Sequence, residues 1–156
     1  MNPFNQLITK PEVALDLAVW LEKHGEAFYR QALAVAEDDA ARTLFTWLAA
    51  EEQAHGETYK ALYEKIAGEK IRQENLVGEY GHFINMLIEE VTAGLEFDAG
   101  ESMEKILQKA LAFEQKTLAY FLEIRKRFPG ENGAMIDAIC AEEEKHINIL
   151  EKVLSR

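Results

Sequence analysis

Along most of the chain apolar residues recur three and four positions apart, the spacing that gathers them on one face of an α-helix. Proline stands only at positions 3, 11 and 129, so the pattern predicts long helices with few interruptions. Four are expected, over about 10–37, 40–66, 102–127 and 132–154. The first opens where Thr9 and Glu12 form a capping-box pattern with Pro11 in the first turn, and Asp38 and Asp39 separate it from the second. FPGENG, residues 128 to 133, reads as the tight turn between the last two. Short turns make two antiparallel hairpins. Between them, about 67–101 is a long connection holding Gly68, Gly78, Gly81, Gly94 and Gly100 and one apolar piece, HFINMLIEEV, expected as a short helix. The fold class is therefore all-α: a four-helix bundle of two hairpins joined by a crossover, the second and third long helices running parallel.

The two hairpins look duplicated. LDLAVWLE (15 to 22) aligns with LQKALAFE (107 to 114), and AEEQAH (50 to 55) with AEEEKH (141 to 146), at offsets of 92 and 91 residues. Read as heptads, the helices present Leu15, Ala18, Glu22, Gly25 and Tyr29; Phe45, Leu48, Glu52, His55, Tyr59 and Leu62; Leu107, Ala110, Glu114, Thr117, Phe121 and Ile124; and Ile136, Ile139, Glu143, His146, Leu150 and Val153. Each apolar stripe is interrupted near its middle, so Glu22, Glu52, Glu114, Glu143, His55 and His146 are expected to converge on one layer of the core.

Four buried carboxylates without compensation would cost several kcal/mol each. Two divalent cations would balance them, with one neutral imidazole for each ion, and the Glu and His of an i, i+3 pair lie on one helix face. Four carboxylates and two imidazoles suit iron or manganese better than zinc. A further ExxH, Glu79 with His82, is flanked by glycines and has no repeat partner, so it is read as a chance match, and His24 as a surface residue. Tyr29 and Tyr59 are core aromatics whose hydroxyls could bond a ligand carboxylate. Cys140, aligned with Ala49, is read as a small buried apolar residue.

Composition narrows the partners. A chain of 156 residues, 48% hydrophobic, has the size of one domain, residues 1–156. The net charge of −11 argues against nucleic acid and anionic membrane surfaces as partners and leaves small cations plausible. One cysteine excludes an intrachain disulfide or a CxxC pair and suggests a reducing compartment. No signal peptide or membrane-spanning run is evident, and the expected location is the cytoplasm.

LEKHGEAFY, AEEQAH, FEQKTLAYF and AEEEKH together resemble the paired Glu and ExxH motifs of the ferritin-like di-iron superfamily, in particular stand-alone rubrerythrin-like proteins, over nearly all of the chain. The resemblance implies Glu52 and Glu143 as bridging ligands, Glu22 and Glu114 as terminal ligands, and His55 and His146 on one iron each. It also implies a reduced site that reacts with hydrogen peroxide or dioxygen. Rubrerythrins usually carry another carboxylate where this chain has Thr117, so the ligand set is closer to that of bacterioferritin. Gln53 stands where bacterioferritins carry a haem-binding Met, and ten residues after His146 are too few for the fifth helix of a storage cage. With no rubredoxin-type part, electrons are expected from an external donor protein. The expected function is reduction of hydrogen peroxide or dioxygen at a di-iron site. The alternatives are a ferroxidase or iron-handling protein and a non-enzymatic, metal-stabilised sensor or interaction bundle. Gly25, matching Thr117, is expected to leave room beside the metals. The uncovered apolar face of His82 to Val91, together with the family habit, suggests a homodimer.

Overall fold

The computed structural model describes residues 10–70 and 78–156. Five helices account for most of them: α1 (Pro11–Val35), α2 (Asp39–Ala67), α3 (Gly78–Thr92), α4 (Met103–Arg125) and α5 (Gly130–Leu154). The described residues contain no strand. They form two compact units, one of residues 10–93 with α1 to α3, the other of residues 94–156 with α4 and α5.

In the first unit α1 packs along α2 and also against α3. α1 starts at Pro11, whose missing N–H costs nothing in a first turn, after an extended Lys10 that makes no side-chain cap bond. Thr9 of the expected capping box lies outside the described residues. The break is where the two aspartates place it: Asp38 caps α2, its carboxylate accepting from the Ala41 N–H at 2.7 Å, and Asp39 adds negative charge to the first turn. α2 ends at Gly68, which takes φ of 73° while its N–H reaches the Glu64 carbonyl at 3.0 Å.

The helix in the connection is longer than its apolar core, running from Gly78 rather than His82. Phe83, Ile84, Leu87, Ile88 and Val91 are buried within the chain, leaving Tyr80 and Met86 as its exposed large side chains. The apolar face that suggested a second copy is thus covered by the chain itself. α1 packs on two partners, so it buries a wide surface, Ala14, Leu17, Leu21 and Phe28 as well as its stripe.

In the second unit Ser102 caps α4, accepting from Lys105 N–H at 3.3 Å. The ammonium of Lys109 pins the approach to α4 through Glu101 at 2.7 Å and the Glu96 carbonyl at 2.5 Å. α5 begins two residues earlier than expected, because Gly130 adopts φ of 70° after Pro129 and GENG winds straight into the first turn. That corner is held by Arg125, which donates to the Phe128 carbonyl at 2.9 Å and to Asp137 at 2.7 Å.

The four stripes are buried as the heptads require, with Leu62 and Val153, toward the C-terminal ends of α2 and α5, half-buried. No helix among the described residues is long and apolar enough to cross a membrane.

Candidate metal centre

The first unit carries three candidate ligands, Glu22 on α1 and Glu52 and His55 on α2. Glu52 and His55 share a face of α2 because they are three residues apart, and the α1–α2 packing brings Glu22 beside them. His55 Nδ1 stands 3.8 Å from Glu22 Oε2. The second unit repeats the set with Glu114 on α4 and Glu143 and His146 on α5, His146 Nδ1 lying 3.3 Å from Glu114 Oε1. All six residues are between 0 and 9% exposed. In each hairpin the imidazole of the second helix therefore approaches the carboxylate of the first, inside the core.

Buried carboxylates are retained at a net cost unless positive charge or hydrogen bonds compensate them. The donors here are oxygen and imidazole nitrogen, the set that suits divalent iron or manganese. The chain's buried Glu and His side chains could hold a metal ion. The one thiol does not compete for it. Burial first, then the nearby Asp137 and Glu144, push the Cys140 thiol up to about 11, so it stays protonated at neutral pH.

Around each triad the neighbours differ. The Tyr59 ring lies 6.1 Å from the His55 ring, on the same face of α2 one turn on. Tyr29 is fully buried in an aromatic cluster, edge-on to Phe28 at 5.4 Å and stacked on Phe45 at 6.3 Å. Thr117 is buried and gives its hydroxyl proton to the Phe113 carbonyl at 3.0 Å, which commits it to its own helix. Gly25, its counterpart, is buried on α1. Glu79, His82 and His24 are exposed.

Glu51 was not singled out by the stripes, yet a carboxylate oxygen of Glu51 and a ring nitrogen of His55 lie within 4.8 Å. Its counterpart Glu142 is instead engaged by Lys145 at 3.1 Å. The repeat has Ala54 where Lys145 stands, which was the available signal for this difference.

A cavity of about 120 Å³ opens between α1 and α2, lined by Val19, Glu22, Lys23, Glu26, Glu52, Gln53, Gly56, Glu57 and Lys60. It runs from exposed Lys23, Gln53 and Glu57 to buried Glu22 and Glu52. Comparison with protein-family models, with curated proteins and with solved structures finds no match to this chain.

Proposed function

We propose that the two triads together hold two iron ions in a ferritin-like four-helix arrangement, and that the chain is a rubrerythrin-like di-iron oxidoreductase reducing hydrogen peroxide or dioxygen. The observation that carries this reading is the duplicated triad. Two hairpins bury the same three donor types at equivalent positions, each with the imidazole beside the first helix's carboxylate. Charge supports pairing them: Glu22, Glu52, Glu114 and Glu143 balance two divalent cations, and His55 and His146 supply one nitrogen to each. By resemblance Glu52 and Glu143 would bridge the ions while Glu22 and Glu114 would be terminal ligands.

When bound, iron would supply the two electrons that, with two protons, convert hydrogen peroxide to two waters, and an external electron donor protein would replace them. The chain's residues provide the setting. Burial of the six donor residues lowers the dielectric around them, which strengthens electrostatic interactions there. Tyr59 packs beside the His55 ring, and Thr117 is bonded to the Phe113 carbonyl of its own helix.

Metal analysis of the purified chain, followed by stopped-flow oxidation of the reduced protein, tests the proposal. The expected result is two iron ions per chain and turnover with peroxide well above that of ferrous ion in buffer. Manganese, or no rate advantage, would overturn the peroxidase reading. A second reading, ferrous-iron oxidation and handling, is favoured by the four carboxylates lining the α1–α2 cavity. Retention of many ferric ions per chain, rather than a stop at two, would establish it.

A further inference from the structure

The α1–α2 cavity is larger than the ligands need and smaller than an organic substrate needs. Its volume of about 120 Å³ is room for several water molecules, at ~10–15 Å³ for each on this measure. Pockets that enclose organic ligands start at roughly 300 Å³. The inner end is formed by the carboxylate-bearing residues Glu22 and Glu52, both buried, and the outer end by residues in water.

Its wall is thinned at one position. Gly56 lies inside the 29-residue helix α2, where glycine costs roughly 1 kcal/mol relative to alanine. Packing does not demand it, because a Cβ built there would meet the Glu22 Cβ at 3.6 Å, an ordinary contact. A side chain longer than alanine would have to extend past the Glu22 Cβ, along the cavity wall that Gly56 and Glu22 share.

The rim is also built. Arg30 binds Glu26 of its own helix at 2.7 Å and reaches Gln53 of α2 at 3.5 Å, tying the two helices together beside the mouth. Glu26 and Glu57 place carboxylates along the path, while Lys23 and Lys60 also line it.

We infer that this cavity is the port through which the metal centre exchanges small solutes with water, that it admits divalent cations and hydrogen peroxide but not an organic substrate, and that Gly56 sets its bore. The inference rests on the di-iron reading of Glu22 and Glu52. It assigns Gly56 as a specificity-determining residue and Glu57 as a carboxylate that draws cations to the mouth.

The test is the rate of Co2+ uptake by the metal-free chain, followed by the absorbance of bound cobalt, in the native protein and in Gly56→Leu. The leucine should slow uptake at least tenfold while leaving the final stoichiometry unchanged. Equal rates overturn the port alone; no cobalt uptake by the native chain overturns the metal reading and the port with it. If Gly56→Leu does not fold, Glu57→Lys on the exposed rim decides: uptake should slow several-fold at low salt and the difference should vanish at high salt. No slowing at low salt overturns the port. With iron loaded, the native chain should consume hydrogen peroxide at least tenfold faster than cumene hydroperoxide, and equal consumption removes the size limit.

Discussion

The hydroxyl of Tyr80 on α3 donates to the Asp16 carboxylate on α1 at 2.5 Å, joining residues 64 apart in sequence. Asp16 is buried, so the bond both satisfies a costly carboxylate and fixes the connecting helix to α1. Tyr80→Phe should keep the ring's packing and lose only the bond. Because Tyr80 is itself half in water, the loss should be about 1–2 kcal/mol, at the low end for a bond to a charged group. Chemical denaturation checks it; an unchanged midpoint would show that the bond does not hold α3.

The same pair has a pH signature. Burial, followed by the Asp16 bond and charge, raises the Tyr80 phenol well above its ordinary 10.0. A raised folded pKa gives stability that is full below the ordinary value and is lost as pH climbs above it. Tyr80 should therefore ionise well above the ordinary phenol range, with alkaline unfolding. Difference absorbance near 295 nm against Tyr80→Phe would show a missing late step, and a tyrosine signal lost near pH 10 would contradict this.

Asp16 also shows where sequence reading stops. Its position among the buried residues of α1 follows from the second partner of that helix, and nothing local to Asp16 announces that Tyr80 will meet it. The long helices were legible because their stripes are periodic and their ends carry Pro11, Asp38, Gly68 and Pro129. α5 starts two residues before the point that the turn-like FPGENG predicts, because a glycine at positive φ after proline can lead straight into a helix. The spacing of the candidate triads was legible because duplication repeats it, whereas Glu51 reaches His55 as an i, i+4 pair beside the stripe, outside the heptad pattern.

Cys140 gives a second alkaline prediction. Its thiol is raised from 9.0 to about 11, chiefly by burial and then by Asp137 and Glu144. The sign is that of a raised acid: its contribution is complete below pH 9 and disappears as pH passes about 11. Thiol reagents at pH 8 should label the folded chain far more slowly than the unfolded one. Cys140→Ala should flatten the fall in melting temperature between pH 9 and 11; a parallel fall in both proteins would reject the assignment.

At the α4–α5 corner, Gly133 is required by contact rather than by backbone angle. A Cβ there would stand 2.2 Å from the Phe128 carbonyl and 2.5 Å from Arg125 Nη1. The arginine can swing away but the carbonyl is backbone, so Gly133→Ala should cost about 1–3 kcal/mol as overpacking does. Combined with Arg125→Ala, the losses should be less than additive, since both disrupt the same corner. Strict additivity in a double-mutant cycle would mean the two residues act apart.

Metal removal is the prediction on which the functional reading depends most. If cations balance Glu22, Glu52, Glu114 and Glu143, they bind the folded chain and not the unfolded one, and each hundredfold excess over Kd adds about 2.7 kcal/mol. Chelation should therefore lower the melting temperature, and re-addition of ferrous or manganous ion should restore it. Glu52→Ala should abolish binding of both ions, because a bridging carboxylate serves each, whereas Glu22→Ala should weaken one more than the other. Glu52→Gln separates charge from size: with metal it should bind weakly and melt low, yet without metal it should melt above the native chain, since a buried charge has been removed. Native protein whose melt ignores chelator, with Glu52→Gln no more stable than native in its presence, would mean that the buried carboxylates are compensated within the chain and that no cation is needed to explain them.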